Sequence, residues 1–164
     1  MKLEARFTSR DNSLFKLDGT EVPVSNACVV PCAECVPDSA PSEGGPFFVK
    51  VPWTQVGLDE EHYNEEFLAV FRDWLKVLEE RGLYAVVVPE ADSDTSTQAK
   101  KEDLTASMKH CARRIKDCAS VIGFAIPDET DPAFFKEELG AKHAQYVFFS
   151  KNPAVLSDGS VVRY

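Results

Sequence analysis

A chain of 164 residues, 44% apolar and 27% charged, has enough material for one folded core and too little for two ordinary domains. Its net charge of −9 and pI near 4.8 set the surface against phosphate backbones and anionic membranes, so nucleic-acid and membrane partners are not expected. No run approaches the roughly 20 apolar residues of a membrane span. The opening MKLEARFTSRDNS lacks the apolar centre of a secretory leader, which makes the cytosol the expected compartment. Five cysteines, an odd number, fit reduced thiols better than a disulfide framework.

In chain order, residues 1–26 read as an N-terminal hairpin extension. Phe15-Lys16-Leu17 and Val22-Pro23-Val24 flank an Asp18-Gly19 turn signal. Asn26 to Val30 is the expected first core strand, followed by a Pro/Ser/Gly-rich loop over 31–46. Phe47 to Val51, bounded by prolines, reads as a strand buried on both faces. Asp59 to Arg81 carries the clearest helical stripe, with Phe67, Phe71, Trp74 and Leu78 at 4-3-4 spacing and Gly82 to end it. Tyr84 to Val88 is the next strand. A second helix is expected from about Glu102 to Cys118, on the stripe Leu104, Met108, Cys111, Ile115 and Cys118. Val121 to Ile126 is a further strand, and Asp131-Pro132 opens a third helix, with Asp131 as its N-cap and Gly140 past its end. Gln145 to Phe149 is the last strand, and 150–164 reads as a tail. The expected fold class is α/β in a single domain spanning 1–164. It has a mostly parallel sheet of about five strands, three main helices and the hairpin, as a TIM-barrel-like fragment or an open flavodoxin-like sandwich. Either leaves sheet edges that need cover, from the chain itself or from a homo-oligomer.

Four pieces carry a family resemblance: Asp18 to Val24 (DGTEVPV), Val49 to Trp53 (VKVPW), Gly82 to Val88 (GLYAVVV) and Val121 to Thr130 (VIGFAIPDET). Their order resembles the early strands of clan A glycoside hydrolases, the cellulase-like family 5 in particular. The resemblance implies a TIM-barrel-type fold and a carbohydrate ligand. It puts Glu129 on the family's acid/base glutamate. Lys50 stands where the family has arginine, Pro89-Glu90 where it has histidine, Asp128 where it has asparagine and Thr130 where it has proline. The family's nucleophile comes from a seventh strand, and only about five are expected here. The resemblance therefore implies a truncated relative without glycosidase activity.

The residues themselves offer several candidate sites. Glu90 and Asp92 follow one strand, and Asp128 and Glu129 follow another. A parallel sheet brings all four to its C-terminal edge, where α/β proteins bind ligands. Carboxylates gathered there divide acid and base work, with Glu129 and Glu90 as the catalytic pair, or hold a divalent cation for a small metal-dependent hydrolase. They are otherwise helix caps and solvated loops. Trp53 and Lys50, with Asp128 and Asp92, are candidate ligand-binding residues at the same rim, Trp53 by stacking on a sugar or else as a buried lid. Cys28, Cys32 and Cys35 are candidate metal ligands for zinc. Their C-x3-C-x2-C spacing also resembles the cluster loop of radical S-adenosylmethionine enzymes, though Glu34 stands where that family has an aromatic residue and its glycine-rich cofactor motif has no counterpart. Cys111 and Cys118 lie on a core stripe and read as small hydrophobes. Lys109, Arg113, Arg114 and Lys116 form a basic stripe read as a solvated helix face. A non-enzymatic interaction module, using the acidic surface or a sheet edge, is the remaining function class. No cofactor is required on the carbohydrate-binding reading.

Overall fold

The computed structural model describes residues 2–24 and 28–164. A three-stranded antiparallel sheet comes first: β1 (Phe7–Arg10), β2 (Ser13–Lys16) and β3 (Glu21–Val22). The Asp18-Gly19 turn joins β2 to β3 as expected. Gly19 sits at φ 91°, and the Thr20 amide donates to Asp18 Oδ1 at 2.9 Å. A second turn, at Asp11 and Asn12, makes the preceding hairpin. Both residues hold positive φ (50° and 62°), the geometry a two-residue hairpin loop needs and one that Asp and Asn tolerate.

The main sheet has six strands, all parallel and adjacent in chain order: β4 (Cys28–Pro31), β5 (Phe47–Pro52), β6 (Ala85–Glu90), β7 (Val121–Ala125), β8 (Val147–Ser150) and β9 (Val162–Arg163). Asn26 and Ala27 of the expected first strand lie outside the described residues. The sixth strand was not expected; it comes from the segment read as a tail. A short helix α1 (Trp53–Val56) precedes the three long ones, α2 (Glu65–Glu80), α3 (Gln98–Ile115) and α4 (Pro132–Gly140). Helix α2 starts six residues later than Asp59, because Asn64 caps it: Asn64 Oδ1 accepts from the Phe67 amide at 3.1 Å. Asp59 instead closes a local turn onto Glu61 and His62. Thr97 caps α3 earlier than expected, and Asp131 caps α4 as expected.

Consecutive strand order with the helices on one face is the arrangement of part of a (β/α) barrel, not of a doubly wound sandwich, whose order reverses and whose helices cover both faces. The helices α2, α3 and α4 share one core with Val49, Val51, Val87 and Phe124 of the sheet, around Phe71, Trp74, Met108 and Phe135. The other face carries Phe48, Val86, Ile122, Phe149 and Val162, and Phe7 and Leu14 of the N-terminal sheet cover it. Phe7 meets Tyr84 edge-on at 4.8 Å. That sheet therefore fills the concave side, where a closed barrel packs strand against strand.

The N-terminal sheet also protects an edge. The Arg163 amide of β9 donates to the Asn12 carbonyl at 3.0 Å, and Asn12 Nδ2 donates to the Val161 carbonyl at 2.7 Å. At the opposite edge, Cys28 and Val29 of β4 are exposed. Among the described residues, no helix is long and apolar enough to cross a membrane.

Candidate functional site

Strand β7 delivers the acidic turn, and an irregularity decides how. Ala85 pairs with Val121, but Val86 pairs with Gly123, so Ile122 is an extra residue in β7. The bulge shifts the alternation: Val121 faces the helices, Ile122 the concave side, then Phe124 the helices again and Ala125 the concave side. Ile126 extends the pairing, its amide donating to the Phe149 carbonyl at 2.8 Å. The chain then turns. The Thr130 amide and hydroxyl both donate to the Pro127 carbonyl, at 3.2 and 2.8 Å, and hold Asp128 and Glu129 exposed at the tip.

Glu90, Asp92, Asp128 and Glu129 do come together. They line one open cleft of about 480 Å³ at the C-terminal edge of the sheet, floored by Val88, Pro89, Ala125 and Ile126 and walled by Tyr164. Asp92 also has a structural task, since its carboxylate accepts from the Thr54 amide (2.9 Å) and hydroxyl at the start of α1. Among the described residues, no side-chain hydrogen bond or ion pair holds Glu90, Asp128 or Glu129. No three His, Cys, Asp or Glu side chains converge closely enough to hold a metal, again among the described residues.

Tyr164 was not among the expected site residues. Its ring stacks on Phe48 at 5.0 Å and 11°, and Lys151 Nζ sits 4.9 Å from its centre. Burial, and then the Asp128 charge, push its phenol above the usual tyrosine range, so it stays a neutral donor facing the carboxylates. The signal for it was Val161-Val162, an apolar pair after the Asp158-Gly159 turn, too short to stand out as a strand.

Trp53 is corrected. It is 2% exposed and belongs to the helix-side core, with its indole N–H donating to Ser107 Oγ at 3.1 Å. Ser107 in turn donates to the Gly57 carbonyl at 2.7 Å. An apolar aromatic with one polar handle satisfied in the interior is a packing residue. Trp53→Phe is expected to cost about 1–2 kcal/mol in chemical denaturation, from the lost hydrogen bond and volume, and to leave ligand affinity unchanged. Lys50 pairs in register with Val88 and is exposed, one pleat short of Glu90, outside the lining of the cleft.

The cysteine triplet is corrected as well. Cys28 opens β4 and Cys32 follows its end, so about 13 Å of extended chain separates Cys28 from Cys32. Cys35 is 1% exposed in the core, its thiol pushed up to about 12 by burial. Burial first, and then Glu90 and Asp92, raise the Cys32 thiol too. The three thiols are not gathered into a ligand group: among the described residues no three His, Cys, Asp or Glu side chains converge on a metal position. Cys111 and Cys118 are buried, both pushed up to about 12 by burial.

No family model matches the chain, and no curated protein matches it. Among solved structures it is similar to GH5_18 from Streptomyces cattleya, a family 5 glycoside hydrolase solved in complex with GlcNAc, at 10% identity and a TM-score of 0.48. The match covers 63% of this chain and 34% of that one, so the chain spans about a third of that protein's length.

Proposed function

We propose that the chain is a glycoside-hydrolase-like protein that binds carbohydrate at the rim cleft without cleaving it. The observation that carries this reading is the cleft itself: Glu90, Asp128 and Glu129 gather beside a half-buried tyrosine over an apolar floor. A sugar needs that combination. Its hydroxyls donate to carboxylates in charge-assisted hydrogen bonds, and its C–H faces rest on aromatic and aliphatic surface. The Tyr164 phenol adds a neutral donor for a ring or hydroxyl oxygen.

Binding without cleavage follows from how the carboxylates are held. Glycosidic hydrolysis needs two carboxyl groups fixed across one bond to within a fraction of an ångström. Asp128 and Glu129 stand exposed on a turn tip, and no neighbour among the described residues orients them or Glu90. Such groups adapt to a ligand's hydroxyls. They are not preorganised for proton delivery.

Heteronuclear NMR titration with soluble cello-, xylo- and chito-oligosaccharides tests this. One series should perturb the amides around Glu90, Asp128, Glu129 and Tyr164, without release of reducing ends. Glu129→Ala should weaken binding about tenfold, the loss of one hydrogen bond to a charged acceptor. No perturbation by any series, or perturbation elsewhere, sinks the proposal. Cleavage that Glu129→Gln abolishes would make the protein an enzyme instead.

A further inference from the structure

A second cavity lies away from the acidic rim and has the opposite charge. It is an open basin of about 680 Å³ along α3. Lys109 and Arg113 of α3 and Lys116 at its C-cap line it, joined by Lys142 and His143 from the turn after α4 and by Lys2 from the N-terminal segment. Lys109 pairs with Glu138 at 2.9 Å. Among the described residues, Lys2, Arg113, Lys116 and Lys142 have no carboxylate within 4.0 Å. The basic stripe on α3 is solvated as expected, and part of it also lines this basin. Arg114 turns away to Glu65 on α2, at 3.1 Å, while the other three cations meet two lysines brought from distant parts of the chain.

Five cations around one hollow repel one another, and a chain of net charge −9 has carboxylates to spare for pairing them. Glu60 is the one acidic residue in the lining. The lining also holds an aromatic pair: Tyr63 stacks on His110 at 4.1 Å and 14°. We propose that this basin binds a small, multiply charged phosphate compound, held by Lys2, Arg113, Lys116 and Lys142. Tetrahedral oxyanions with several charges match a cluster of unpaired ammonium and guanidinium donors. The site is independent of the carbohydrate cleft.

His143 supplies a built-in reporter. It is 5% exposed and packs against Tyr146 at 5.4 Å. Burial, and then Lys116, Lys142, Lys109 and Lys2, hold its imidazole below the ordinary histidine range. An anion seated among those lysines offsets their repulsion and raises the His143 titration; Tyr146 packs against the ring, and His110 and Glu60 line the same basin.

Calorimetric titration with inorganic pyrophosphate, on the whole chain, tests the proposal. One-to-one binding is expected, weakened by salt and weakened about tenfold or more in Arg113→Gln/Lys116→Gln, both of which are exposed and tolerate substitution. Lys16→Gln, on the N-terminal sheet, should leave affinity within about twofold. Pyrophosphate should raise the His143 titration by NMR and leave that of His62 in place. Absence of binding, binding that the double variant does not weaken, or an unmoved His143 overturns the proposal. Citrate binding as tightly as pyrophosphate overturns the assignment to phosphate.

Discussion

Gly123→Ala is expected to destabilise the protein by at least about 4 kcal/mol, lowering Tm by roughly 10 °C or preventing soluble expression. A Cβ built on Gly123 falls 1.6 Å from the Val147 carbonyl oxygen and 2.7 Å from its carbon. Both are backbone atoms of the paired strand β8, so no rotamer change relieves the overlap. The β7 bulge is the cause. With Ile122 inserted, Gly123 no longer points to either face of the sheet, and its missing side chain would lie in the plane, against β8. Alanine would have to part β7 from β8, or undo the bulge and turn Phe124 from the helix-side core to the concave side. Gly140→Ala is the control. There a Cβ meets only the Phe148 ring, at 3.8 and 4.0 Å, and helix propensity favours alanine, so stability should stay within about 1 kcal/mol of the parent. A Gly123→Ala protein as stable as the parent would refute the bulge and with it the orientation of the acidic turn.

The same residues show what the sequence carries and where it stops. The apolar runs of β5 and β6, the stripe of α2 and the Asp131-Pro132 start of α4 are local patterns, each with one physical cause, and the structure has them where they are expected. The meeting of Glu90 with Glu129 is nearly as legible, because parallel strands must deliver both to one edge. What escapes is non-local. The Ile122 bulge leaves no mark in composition, since V-I-G-F-A reads equally well as a regular buried strand. Trp53 follows a strand just as a rim aromatic would, and what holds it inside is non-local: the helix-side core around it and the Ser107 hydroxyl, 54 positions on, that accepts from its indole N–H. Cys28, Cys32 and Cys35 look like a ligand set by spacing, but extended chain between the first and second parts them. Lys2 and Lys142 join the α3 stripe only through folding.

Phe48→Ala should cost about 3–5 kcal/mol in denaturant unfolding and should also weaken whatever the rim cleft binds. The two effects share one origin. Phe48 is 1% exposed at the centre of the concave face, edge-on to Phe149 at 5.7 Å and stacked on Tyr164 at 5.0 Å. Removing the ring leaves a cavity between the main sheet and the N-terminal sheet, and it takes the seat from under Tyr164. A Phe48→Ala/Tyr164→Ala double-mutant cycle separates these contributions. The pair should show a coupling of about 0.5–1.5 kcal/mol, the usual worth of a stacked aromatic contact beyond its buried area. Tyr164→Ala alone should unfold the protein less than Phe48→Ala does, since Tyr164 is the more exposed partner, yet weaken ligand binding at least as much. Zero coupling would mean that Tyr164 does not rest on Phe48, and the cleft would then lose its aromatic wall. Coupling without any loss of affinity would assign Tyr164 to the concave core alone and leave the carboxylates of β6 and β7 as the whole of the site.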